Sequence, residues 1–367
     1  MKNYLNFETE IKDLENELEK LKDPYNQEGL TEVDTQKISS TQTEIDEKLK
    51  NIYSNLDPWQ TTLVARHEER PKSKFFIDNL FDNFFPLSGD RLFGEDKSSI
   101  AGLANFEGHS VMIIGQEKGD DLESRIERNF GMMRPEGYRK SIRLMKIADK
   151  FGLPVIIFID TPGAYPGVGA EERGQAEAIA KSIECCLSIS VPTISIIIGE
   201  GGSGGAIALA SSSKILMFEN AIYSVISPEG CASILWRDPK KTLEAATAMK
   251  MSSKDLFDLK IIDEIIREPL GGAHRDKDQI LNNVRSSIAK NLDFFANMNG
   301  EDILLQRKNK FLSIGRGGGF SATKKLSKDL SFKESFIDKF NNKFYKYKNY
   351  IFISLIISIL LLAFNFL

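Results

Sequence analysis

The sequence predicts an α/β fold, and three observations carry that expectation. Short apolar runs at residues 111–115, 155–160 and 194–199 have the length and β-branched content of buried strands. The second and third run straight into glycine-rich turns. Stretches with one apolar helical face follow those turns, so that strand and helix alternate from about Ser99 to Ile266. A chain of 367 residues, 41% hydrophobic and 27% charged, can bury a large core and is too apolar to be disordered over most of its length.

Composition excludes several functions. Lys and Arg number 48 against 52 Asp and Glu, and a net charge of -4 offers no basic field to a nucleic-acid backbone, so no nucleic-acid partner is expected. Cys185, Cys186 and Cys231 form no CxxC pair, which argues against a thiolate zinc site or a disulfide framework and for a reducing compartment. The start, Met1-Lys2-Asn3-Tyr4, lacks the apolar core of a signal peptide and the Arg and Ser bias of a transit peptide.

In chain order, Ile11, Leu14, Leu18 and Leu21 recur at helical spacing. Beyond a break at 24–29, Ile38, Ile45, Leu49, Ile52 and Leu56 do the same, giving a helical hairpin over residues 1–60. It reads either as an arm packed on its own domain or as a short coiled coil. Residues 61–314 form the main domain. Within it, Ala176, Ile179, Ala180, Ile183 and Leu187 predict a helix from near Glu171 to Leu187, residues 206–210 suit a closely packed helix start, and a helix over 279–295 ends the domain. The glycines at 315–319 open a linker that runs to 349. Residues 350–367 are almost wholly apolar and follow Lys343, Lys346 and Lys348, which reads as a candidate transmembrane tail anchor at the lower end of the roughly 17 to 25 residues a span needs.

The densest signal is Gly199-Glu200-Gly201-Gly202-Ser203-Gly204-Gly205, where a strand meets a helix. It fits GxGxxG through Gly199, Gly201 and Gly204, with Glu219 as a ribose-binding acid, and it fits GxSxG through Gly201, Ser203 and Gly205, with His274 as a base. A tight turn that needs glycine only for close approach is the plain alternative. A fourth reading is an oxyanion site, because the first amides of a helix lack intrahelical acceptors and face an oxyanion with the positive end of the helix dipole behind them. The second signal runs from Asp160 through Thr161, Pro162, Gly163, Ala164, Tyr165, Gly167 and Gly169 to Arg173. So side-chain-poor a loop suits the wall beside a flat ligand, or a surface crossover; Glu171 and Glu172 suit a helix start, and Arg173 an anion. A basic cluster over 133–143 reads as a solvated helix face or a contact for phosphates. His67, His109 and His274 lack ligand spacing, so no metal site is expected.

Four long motifs in order then resemble the carboxyltransferase α subunit of multi-subunit acetyl-CoA carboxylase: residues 160–175, 198–206, 224–236 and 268–275. Residues 65–67, 129–132 and 135–140 extend the match, which covers roughly residues 1–315. The resemblance implies a crotonase-like (ClpP/crotonase) fold of repeated ββα units and an α2β2 assembly, active only with a β subunit that carries the zinc ribbon. It implies transfer of a carboxyl group from carboxybiotin, borne by the biotin carboxyl carrier protein, to acetyl-CoA, giving malonyl-CoA for fatty acid synthesis. ATP is used only by the separate biotin carboxylase. Carried over residue by residue, the backbone N–H groups of Gly204 and Gly205 stabilise the biotin ureido oxygen. Thr161, Pro162, Gly163, Ala164, Tyr165, Gly167, Gly169, Gly201 and Gly202 line the biotin cavity, and Arg173 meets an anion. The implied location is the bacterial cytoplasm, with the plastid stroma as the alternative and membrane contact through the tail. The family's usual form has no counterpart to the linker and tail.

Overall fold

A computed structural model of the chain describes residues 3–23, 25, 26, 29, 30 and 34–315; the expected linker beyond Gly315 and the tail anchor over 350–367 lie outside them. The N-terminal hairpin consists of α1 (Thr9–Lys22) and α2 (Thr35–Ser54), with a two-residue ladder of β1 (Tyr25–Asn26) and β2 (Gly29–Leu30) between them. Asp34 caps α2 by accepting from the amides of Gln36 and Lys37, and Ile11, Leu18, Ile45 and Leu49 close the helix pair. The hairpin is an arm on the main body: Arg275 reaches back to Glu15 (2.6 Å) and Glu8 (3.0 Å).

Two short helices, α3 (Pro58–Ala65) and α4 (Ser73–Leu80), lead into an antiparallel meander of β3 (Asp82–Pro86), β4 (Ser99–Phe106) and β5 (His109–Gln116). After α5 (Leu122–Glu127) and α6 (Pro135–Phe151) come β6 (Val155–Thr161), α7 (Val168–Glu172), α8 (Gln175–Ser188), β7 (Thr193–Gly202) and α9 (Ser203–Ala210). The chain continues through β8 (Lys214–Phe218), β9 (Ile222–Ser224), α10 (Pro228–Cys231), α11 (Thr242–Met249), α12 (Ser253–Asp258) and β10 (Glu264–Ile266) to α13 (Lys277–Phe295) and α14 (Gly300–Ser313). The main sheet runs β10-β8-β7-β6-β5-β4-β3, parallel from β10 to β5, with β9 paired to the far end of β7. Every residue of β6 and β7 is buried, as central parallel strands covered on both faces require, which is why most of each reads as apolar without alternation.

Two helices differ from expectation. The helix predicted from Glu171 is split, because Gly174 takes a left-handed conformation (φ 78°) that ends α7 and starts α8 on a new axis. Helix α13 is not the last helix of the expected 61–314 domain. Helix α14 follows, and its fully buried Arg307 donates to the carbonyls of Ile189 (2.6 Å) and Val191 (2.7 Å) and to Ser213. Among the described residues no helix is long and apolar enough to cross a membrane.

Candidate functional site

The two glycine-rich segments meet at the carboxyl ends of β6 and β7. Thr161 pairs with Gly201 in the sheet, and its hydroxyl donates to the Gly163 carbonyl (2.7 Å) while accepting from the Gly163 amide (3.2 Å), which folds the loop back on itself. Tyr165 donates its amide to the Met133 carbonyl (3.0 Å), and Gln175 ties Met133 and Tyr165 together through their carbonyls. The loop is therefore an anchored wall, with Arg134 stacked on the Tyr165 ring at 4.4 Å.

Close approach dictates two of the glycines. A Cβ on Gly202 would stand 2.1 Å from the Pro162 carbonyl oxygen, and one on Gly205 would stand 2.5 Å from the Gly163 carbonyl carbon. Neither has a left-handed φ, so the constraint is steric. Gly163 and Gly204 differ: a Cβ on either would meet nothing nearer than 3.6 Å. Gly202 and Gly205 thus seat the loop against the turn, whereas a side chain at Gly163 or Gly204 would come only into ordinary contact with Ser203 or Ile179. Gly167 and Gly169 make room for the side chains of Tyr165 and Arg173. Ser203, Gly204 and Gly205 open α9, where amides have no intrahelical acceptor.

Other candidates sit elsewhere. His274 stacks on His67 (centroids 3.9 Å apart), and burial, reinforced by His67 and Arg275, pushes its pKa down to about 2; no hydrogen bond joins it to Ser203. Glu219 pairs with Arg267 and accepts the amide of Glu268. The Arg173 guanidinium, read as an anion contact, is held by Glu136 (2.6 and 3.3 Å) and lies over Phe93. The basic cluster is neither solvated nor free for phosphates at its centre: Lys140 is buried, bonded to the Ser99 carbonyl (2.6 Å) and paired with Glu95.

The family model described as acetyl co-enzyme A carboxylase carboxyltransferase-like matches residues 4–315. The chain belongs to that family. A relative from Pelagibacter ubique (strain HTCC1062), the acetyl-coenzyme A carboxylase carboxyl transferase subunit alpha, is 74% identical over 348 residues, 95% of each chain. The subunit of the same description from Zymomonas mobilis is 53% identical over 315 residues, 86% of this chain and all of its own. The Pelagibacter alignment is too long to fit within residues 1–315, so it extends past residue 315. Among solved structures, a transcarboxylase 12S with methylmalonyl-coenzyme A and methylmalonic acid bound superposes with a TM-score of 0.51 at 18% identity, over 63% of this chain and 44% of that one. The likeness is one of fold, that of crotonase-type carboxyltransferases, and this chain spans less than half the length of that protein.

On this carboxyltransferase α chain, the sequence reading missed a charged cluster beside the loop. A cavity of about 230 Å³ borders Asp160, Pro162 and Glu200, with Arg66, Lys118 and Phe130 on its other walls. Lys118 Nζ lies 2.8 Å from Asp160 and 3.3 Å from Glu200. Burial alone would raise the Glu200 carboxyl, but Lys118 and Arg66 outweigh it and hold the group below the ordinary carboxylate range. The signal available in sequence was the acid inside each glycine-rich segment; its cationic partners stand far away along the chain.

Proposed function

We propose that this chain supplies one half of a shared active site in which a carboxyl group passes from carboxybiotin to acetyl-CoA, a β subunit supplying the other half. The observation that carries the reading is the close backbone approach of the two glycine-rich segments at the head of α9, where the loop is locked onto Gly202 and Gly205. A flat, uncharged ring with a single oxygen to be satisfied suits such a surface, because no side chain intervenes and amide donors at a helix head meet developing negative charge without reorganising. When bound, carboxybiotin supplies the carboxyl group to be moved.

The chain's own residues then act as donors and walls. The amides of Gly204 and Gly205 stabilise the ureido oxygen, while Pro162, Ala164 and Tyr165 keep water from the ring. Thr161 holds the loop's shape, and Gly201 carries the strand to the turn. Paired with Glu136, Arg173 braces the loop from behind and does not meet the substrate. The thioester oxygen is the task of β, in an α2β2 assembly fed by the biotin carboxyl carrier protein, with ATP used at a separate biotin carboxylase. The working location is the bacterial cytoplasm, some molecules being held at the membrane by the tail over 350–367.

The test is forward transfer. Carrier protein bearing a labelled carboxyl group is mixed with acetyl-CoA, this chain and β. Label is expected in malonyl-CoA; label that stays on the carrier or leaves as carbon dioxide alone would refute the assignment.

A further inference from the structure

Strands β6 and β7 pair through Ile159 and Ile197 and resume at Thr161 and Gly201, so that three residues of β7 stand opposite one of β6. Such a bulge interrupts the ladder and turns the strand. Two of the backbone groups in it bond to side chains: the Ile198 carbonyl accepts from Arg70 Nε (2.6 Å), and the Glu200 amide donates to Asp160 Oδ1 (3.0 Å). Below the bulge β7 pairs with β8 as far as Ile197; from Glu200, the last bulge residue, through Gly202 it pairs with β9 instead. Since α9 begins at the next residue, Ser203, the bulge sets the direction from which its head is delivered.

The Glu200 side chain is gripped on both oxygens. Arg66 meets Oε1 at 2.7 and 2.8 Å and continues to Glu229 at 2.6 Å. Lys118 meets Oε2 at 3.3 Å and also reaches the Asp160 oxygen that holds the Glu200 amide. Desolvation offsets much of the attraction within a partly buried cluster of this kind, so stability alone is a poor account of it. Its members instead link the end of α3, the end of β5, the bulge and α10 at one point. We propose that Glu200, held between Arg66 and Lys118, is a positioning residue that fixes the bulge and so aims the amides of Gly204 and Gly205, an inference that rests on the function proposed above. Glu200 acts through the backbone and contacts no reacting atom.

The test uses the full chain mixed with β, malonyl-CoA and free biotin, together with hydrogen exchange on the chain. Glu200→Gln keeps the shape and removes the charge. It is expected to lower kcat at least about tenfold while leaving KM for malonyl-CoA within about twofold, since displaced groups penalise the reacting geometry and not the binding of the thioester. Exchange in the peptide over 198–206 should quicken, with the rest of the domain unchanged. Lys118→Met should give the same pair of changes and Lys118→Arg should recover most of kcat. If Glu200→Gln folds, assembles and keeps both kcat and the exchange pattern, the proposal is wrong. Should Glu200→Gln fail to fold, Lys118→Met decides by the same two readouts; if that variant also unfolds, or loosens the domain throughout, the cluster holds the fold and the proposal is overturned. A wild-type mixture that carboxylates no biotin counts against the functional reading, and the exchange measurement then judges positioning alone.

Discussion

Two neighbouring glycines separate packing from chemistry at the residue scale. Gly205 is buried where a Cβ would collide with the backbone of Gly163 and Ala164, whereas the same atom on Gly204 would sit in ordinary contact with Ile179. Gly204→Ala should therefore keep its fold and its amide. Gly205→Val must push the loop away, at a stability cost of about 1–3 kcal/mol and a kcat loss of roughly 10² to 10³ through displaced donors. Thermal melts and steady-state kinetics of the two variants with β check this; equal losses in both would contradict it. Ser203 has a left-handed φ of 54°, the strained geometry of a nucleophile, yet its hydroxyl has no link to His274. Ser203→Ala is expected to change kcat by less than about threefold, because no covalent step uses the hydroxyl; loss of activity with assembly retained would return it to the chemistry. The glycines were legible in the sequence as a motif, but which of them press against the loop and which do not depends on a contact between segments about 40 residues apart, and spacing does not encode that.

Elements were legible in proportion to how much apolar surface they bury. Strands β5, β6 and β7 stood out because both their faces are covered, whereas β9 and β10, three residues each, are held by their neighbours and leave no periodic trace. Helix α14 was missed for a different reason. Its central buried side chain is Arg307, and sequence patterning reads an arginine as exposed. Burial pushes its pKa down to about 10, still far above neutrality, so the guanidinium stays charged and its hydrogen bonds to two carbonyls and Ser213 are what hold α14 to the loop before β7 and to the turn after α9. Arg307→Met should leave those acceptors buried without donors and cost about 3 kcal/mol in urea unfolding. A variant as stable as wild type would mean that α14 is held by its apolar contacts alone. The bulge in β7 was equally hidden, since its partners Arg66 and Lys118 come from other elements and only the fold brings them to Glu200.

For the whole molecule, the resemblance drawn from four motifs and the family match agree over the same span, and the family match ends just past α14. The segment beyond α14 should be separable from catalysis, because every residue assigned to the site lies within residues 61–314. A chain ending at Gly319 should then match full-length chain in activity with β, and only the full-length chain should sediment with carbonate-washed membranes. Lost activity in the truncated chain would contradict the first expectation, and a full-length chain left wholly in the supernatant would contradict the second. That this chain holds half of a carboxyl-transfer site is tested most directly by malonyl-CoA-dependent carboxylation of free biotin, measured with this chain alone, with β alone and with the two mixed. Carboxybiotin should form only in the mixture, with malonyl-CoA consumed in step; turnover by this chain alone, or none in a mixture that assembles, would contradict the claim.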